Sequence, residues 1–171
     1  GSHVLLCDDS YFSIRVIARD WLPRWGMSAT VVDFTDLDAV RAALRPDTRL
    51  LWAETPSNPL LKVNDIAALA AIAHGAGARL LVHSTFAPPT LQRPLALGAD
   101  VVMQSATKYL GGHGYVMGGV LSFAADDEHA AACHGQRLLG GATASPFAAW
   151  MILRGLRSLP ARMDWHCRNA M

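Results

Sequence analysis

Short apolar runs alternate with segments of helical period along this chain. Val4–Cys7, Ala29–Val32, Leu50–Ala53, Leu80–Val82, Val101–Met103 and Gly119–Phe123 are brief, rich in valine and leucine, and punctuated by glycine or polar residues. That pattern predicts strands. Helices are predicted from Tyr11 to Arg24 and from Asp36 to Leu44, the second with Thr35 as its N-cap. A third runs from Asp65 to His74 and meets Gly75, a natural C-cap glycine. Two more span Asp126 to Leu139 and Pro146 to Leu156. Near-continuously apolar strands, each joined to the next by a helix, predict an α/β fold: three αβα layers around a mostly parallel sheet. No internal repeat, low-complexity segment or linker divides the 171 residues, so one domain is expected.

In such sheets ligands gather beyond the carboxyl ends of the strands, which directs attention to the residues just after each one. Gln104-Ser105-Ala106-Thr107-Lys108 follows the fifth strand. A lysine there can condense with an aldehyde cofactor. Ser105, Thr107 and the loop's amides can receive a phosphate. The glycine-rich stretch Gly111-Gly112-His113-Gly114 lets backbone approach a ligand closely. Glu54-Thr55-Pro56-Ser57-Asn58-Pro59 follows the third strand, and Asn58 offers an amide to a phenolic oxygen. His83 follows the fourth strand, and Tyr11, near the start, has a ring that can lie on a planar cofactor. Each has a plainer reading taken singly: a solvated loop lysine, a proline-stiffened turn, a structural histidine, a core aromatic.

Composition removes several alternatives. The net charge is +1 with no basic block, so nucleic-acid binding is not expected. No apolar run approaches the roughly 18 residues of a membrane span, and no signal pattern opens the chain. Gly1-Ser2-His3 is given no weight, since it reads equally as native sequence or as the scar of a cleaved tag. Cys7, Cys133 and Cys167 are odd in number and lack CxxC spacing, against both a disulfide framework and a zinc or other metal site. They fit a reducing cytoplasm. A nucleotide-binding domain is set aside because neither GxGxxG nor GxxxxGK[ST] occurs.

The order of these blocks resembles the pyridoxal-phosphate enzymes of cysteine and methionine metabolism: cystathionine γ-synthase, cystathionine γ- and β-lyase, and methionine γ-lyase. The likeness runs through Arg45–Thr48, Glu54–Val63, Leu91–Asp100, Ser105–Leu110, Gly118–Val120 and Ala144–Phe147 to Leu153–Leu156. It implies a fold-type I large domain over residues 1–171, with the small C-terminal domain absent. It implies pyridoxal 5′-phosphate as cofactor, held as a Schiff base at Lys108, with Lys108 and Tyr11 moving protons. Ser105 and Thr107 fall on phosphate-binding positions, Asn58 on the partner of the phenolic oxygen, and Tyr11 on the ring-stacking tyrosine. The implied chemistry is β- or γ-elimination or γ-replacement on cystathionine, cysteine, methionine or homoserine esters, by a cytoplasmic homo-oligomer.

The departures sharpen the expectation. Family members carry an aspartate where His83 stands, and that aspartate keeps the cofactor's ring nitrogen protonated. A neutral imidazole can accept the hydrogen bond but brings no full negative charge, which weakens the electron sink. Gln104, Tyr115 and the pair Phe12-Ser13 also replace the family's usual histidine, aspartate and glycines. Family members are more than twice this length. The loop over the phosphate and the arginine that grips the substrate carboxylate fall outside this chain. It therefore reads as a fragment or a truncated product, and its alternative is a catalytically silent relative that keeps the fold and binds cofactor or a partner.

Overall fold

A computed structural model describes residues 1–171. Six strands form one sheet: β1 (His3–Cys7), β2 (Ser28–Val32), β3 (Thr48–Glu54), β4 (Arg79–His83), β5 (Val101–Ser105) and β6 (Gly119–Phe123), in the order β2-β1-β3-β4-β5-β6. The first five are parallel and β6 is antiparallel. All six predicted strands form; five are lengthened by one to three residues and β6 keeps its predicted bounds. Helices α1 (Phe12–Val16), α2 (Leu37–Ala43), α3 (Ile66–Gly75), α4 (Glu128–Leu139), α5 (Pro146–Arg157) and α6 (Leu159–Ala170) complete the mixed αβα architecture.

Several predicted details change, each for a local reason. The single helix expected from Tyr11 to Arg24 is α1, then a π-helical turn over Ile17–Trp21, then a 3₁₀ turn over Leu22–Trp25. Pro23 in a continuous α-helix would collide with the carbonyl four residues back, so the spiral widens and tightens around it before Gly26 (φ 70°) ends it. Thr35 does not cap α2; its amide and hydroxyl bond Asp33 at 2.9 and 2.7 Å. Asp36 is the cap, accepting from the Asp38 and Ala39 amides at 3.1 and 3.0 Å. Gly75 is the last residue of α3 and not its cap; Gly77 (φ 68°) makes the left-handed turn. Between β4 and β5 the only helical element is a 3₁₀ turn at Pro94–Leu97, not a covering helix. The helix α6 was not foreseen, although Pro160 in its first turn is an N-terminal signal.

Alternation along the parallel strands sorts the side chains into layers. Leu5, Cys7, Leu51, Ala53, Leu80 and Val82 join Val40 of α2 and Leu69, Ile72 and Ala73 of α3 in the main core. A second cluster, Ala106, Leu110, Ile152, Leu159 and Met163, fixes α5 and α6 to the turn after β5. His3 belongs fully to the sheet: it is buried, and its ring bonds Thr48 and Thr30 of the flanking strands at 2.8 and 2.9 Å. Burial holds its basicity below that of a free histidine.

Leu51 is fully enclosed at the centre of β3. Leu51→Ala is expected to cost about 2–5 kcal/mol through lost transfer energy and a residual cavity. Urea unfolding checks this, with a lower midpoint and an unchanged m-value.

Candidate active site

The carboxyl edge of the sheet opens into a cavity of about 650 Å³, within the range of small-molecule sites. All six residues singled out in the sequence line it: Tyr11, Asn58, His83, Ser105, Thr107 and Lys108. Lys108 lies in a π-helical turn, Ala106–Leu110, where its backbone leaves helical geometry (φ −95°, ψ −122°). The turn is pinned from below. Arg162 of α6 donates to the Tyr109 carbonyl at 2.9 Å and the Gly155 carbonyl at 2.7 Å. Gly155 of α5 packs directly on the carbonyls of Leu110 and Gly111, an approach that any Cβ would block. The Thr107 hydroxyl accepts from the Gly118 amide at 3.0 Å.

Opposite this turn, the segment carrying Asn58 is tied down at several points. The Asp9 carboxylate accepts from the Ser57 hydroxyl and from the Leu60 amide. Asn64 donates to the Glu54 carbonyl at 3.0 Å, and Gln92 to the Thr55 carbonyl at 2.9 Å. Lys62 Nζ joins Asp8 and Asp33, each at 2.8 Å. The Lys62 ammonium, followed by the Thr35 donors, holds the Asp33 carboxyl at about 2 rather than its ordinary 3.8.

Glu54, Thr85 and His166 also line the cavity, and none was picked as a site residue from sequence. Glu54 was legible by the rule that found Lys108, since it too stands just past a predicted strand. His166 carried no signal, because its helix was not anticipated. Glu54 and His83 are paired in the last rung of the β3–β4 ladder, so their side chains leave the sheet on one face, side by side. Glu54 Oε2 accepts from the Tyr11 amide at 2.9 Å and lies 2.8 Å from His83 Nδ1. His83 Nε2 lies 2.6 Å from Thr85 Oγ1, which accepts from the Ser105 amide at 2.8 Å. Cys7 Sγ accepts from the Glu54 amide at 3.2 Å, and burial pushes the Cys7 thiol up to about 12. Cys7 is a packing residue, not a nucleophile. Of the departures from the family pattern, Tyr115 stacks on His113, with centroids 5.2 Å apart, and Phe12 leans on Tyr11 at 4.8 Å. Gln104 is buried in β5.

Fold and cavity together define an α/β ligand-binding domain with an amine, hydroxyls and an aromatic ring converging past the sheet's carboxyl edge. The chain belongs to the Cys/Met metabolism PLP-dependent enzyme family, which it matches over residues 1–171; the family's cofactor is pyridoxal 5′-phosphate. It is similar to cystathionine γ-synthase of Mycobacterium tuberculosis, 46% identical over 99% of this chain and 44% of that protein. It is also similar to canavanine γ-lyase of Rhizobium leguminosarum, 48% identical over 95% of this chain and 41% of that protein. The crystal structure of metB from Corynebacterium glutamicum superposes with a TM-score of 0.96 at 41% identity, covering 99% of this chain and 44% of that one. The chain thus spans about half or less of the length of the relatives it matches. No helix is long and apolar enough to cross a membrane.

Gly155→Ala is expected to push α5 off the Lys108 turn, destabilising by about 1–3 kcal/mol as an overpacking change; thermal unfolding reads it, and an unchanged midpoint would refute the close contact. The Asp33–Lys62 pair gives a pH signature. A carboxyl depressed in the folded state stabilises above its unfolded pKa, so this contribution is whole above about 3.8 and drains away as pH falls toward about 2. Lys62→Met should lower stability at neutral pH by a small amount, Asp33 being solvent-exposed, and flatten that acid limb of the stability curve.

Proposed function

We propose that this chain is the cofactor-holding part of the large domain of a pyridoxal-phosphate enzyme of sulfur amino-acid metabolism. Its reaction is β- or γ-elimination or γ-replacement on cystathionine, cysteine, methionine or a homoserine ester. The observation that carries the reading is the convergence of Lys108, Ser105, Thr107, Asn58, His83 and Tyr11 on one cavity. The donor set suits the group: an amine for its aldehyde, hydroxyls and glycine-rich backbone for its phosphate, an amide for its phenolic oxygen, and an aromatic face for its ring.

Lys108 would hold pyridoxal phosphate through its aldehyde, and the group would supply an electron sink for charge developing on a substrate carbon. The chain's own groups do the rest. Ser105, Thr107 and the backbone around Gly112 and Gly114 would hold the phosphate, and Tyr11 would offer its ring to the cofactor's. The Lys108 amine, held by its pinned turn, would be the group that moves protons to and from the substrate. Asn58 stays in register because Asp9, Asn64 and Gln92 fix the segment that bears it, and such positioning is a large share of catalysis.

The three free cysteines support a reducing, cytoplasmic setting. Exposed Phe147, Trp150 and Leu153 on α5 support an assembled state in which that face is covered, the amino-acid site being completed in a homo-oligomer. A second reading is favoured by the cavity lining, in which Lys108 is the one lysine or arginine. With no guanidinium to grip a substrate carboxylate, the chain by itself binds cofactor without turnover.

Titration with pyridoxal phosphate is expected to produce a visible absorption band that Lys108→Ala abolishes; a band surviving that substitution refutes the Schiff-base assignment. Lys108-dependent release of a 2-oxo acid from cystathionine, cysteine or methionine then decides between a working enzyme and a silent binder.

A further inference from the structure

Six of the seven histidines hold a polar partner inside the protein. The exception is His166, near the end of α6, and it lines the cavity. Its ring leans on that of Tyr109, with centroids 5.4 Å apart and planes tilted by 55°. The helix face that carries it is fixed. Arg162, one turn earlier, donates from Nε to the Ser158 hydroxyl at 3.0 Å and from its other nitrogens to the Tyr109 and Gly155 carbonyls. Gly112 (φ 78°) leaves room for that guanidinium, which any Cβ there would strike. Residues four apart share a helix face, so locking Arg162 to the Lys108 turn also sets the His166 imidazole in place.

The lining residues sort by the strand they follow. Asn58 stands past β3, His83 past β4, and Lys108 past β5. Beyond Lys108 come Tyr109, Met117 and His166, to which the cofactor reading gives no ligand. The one carboxylate in the lining, Glu54, stands at the opposite end, past β3. Asp164, the acid closest to His166 along α6, is held by Arg168 at 2.8 Å. An anion is therefore repelled at the β3 end and met at the α6 end by an N–H donor with no other partner. Between the Lys108 amine and that donor lie the Tyr109 ring and the Met117 thioether, a wall suited to methylenes and sulfur.

We propose that the α6 end of the cavity is a substrate subsite, in which the His166 N–H takes the carboxylate at the far end of the substrate while Tyr109 and Met117 flank its thioether chain. This rests on the pyridoxal-phosphate reading above and narrows its substrate class. The favoured substrate is an amino acid whose side chain itself ends in a carboxylate, as that of cystathionine does, over one with an uncharged end such as methionine. His166 is thus a specificity-determining residue. A donor left unpaired by the shorter substrate discriminates more sharply than an apolar wall, which tells one methylene from the next only weakly.

The test measures dissociation constants of three stable ligands on the full chain: pyridoxamine phosphate, and the reduced conjugates of pyridoxal phosphate with L-methionine and with L-cystathionine. His166→Phe keeps a ring against Tyr109 and removes the donor. It is expected to weaken the cystathionine conjugate about tenfold, as for loss of a hydrogen bond to a charged group, and to leave the other two ligands within twofold. Equal losses for the two conjugates, or no loss for either, overturn the subsite and leave the cofactor reading intact. A wild type that binds none of the three, and forms no Lys108-dependent band with pyridoxal phosphate, overturns the cofactor reading and the subsite with it. Proton–nitrogen correlation spectra give a second check on the unaltered chain. The His166 ring signals are expected to shift with the cystathionine conjugate and to stay in place with the methionine conjugate; signals that respond alike to both overturn the proposal.

Discussion

The carboxyl edge of the sheet is held by one buried carboxylate. Glu54 closes the last rung of β3, and through Oε2 it takes the amide that starts the first helical segment and the imidazole that ends β4. A group so enclosed cannot be left unpaired, because each lost partner exposes it to the full cost of desolvation. The chain after β1, the end of β3 and the end of β4 must therefore arrive together. The Cys7 thiol beneath and the Asn64 amide beside it fix the Glu54 backbone as well. The positions of Tyr11 and His83 on the cavity wall follow from that convergence.

A second constraint places Lys108. Its turn departs from helical geometry and has little core of its own, so it depends on α5 and α6 pressing from behind. Gly155 permits the approach, Arg162 donates to the Tyr109 carbonyl of the turn and the Gly155 carbonyl of α5, and a small apolar cluster seals the contact. An amine on a turn braced in this way meets a ligand in a fixed place, and a reactive side chain needs that preorganisation. The two halves of the site thus rest on different supports: one on a buried polar network, the other on packing from the C-terminal helices.

Much of this was legible in the sequence. Short apolar runs gave all six strands: β1 and β4, buried on both faces, have no polar alternation to hide them, and the edge strands β2 and β6 are apolar runs although largely exposed. The rule that ligands collect past strand ends led to Asn58, His83 and Lys108, and the ordered match to a known family joined them to Tyr11. Helix details were less legible. Asp36 displaced Thr35 as a cap because a carboxylate one residue nearer the helix accepted its first amides. Pro23 broke a periodic pattern into three kinds of turn. The helix α6 hid in a mostly polar stretch in which only Leu159 and Met163 are buried.

The sequence by itself determined the strand set, the layer architecture and the residue types that carry the chemistry, since these depend on local pattern and on order along the chain. It also determined that a histidine replaces the family's aspartate at position 83. Only the tertiary structure decided what that replacement means. Glu54 and His83 lie 29 residues apart in sequence, and nothing local couples them. Parallel register sets them side by side on one face, and burial leaves each as a hydrogen-bond partner of the other.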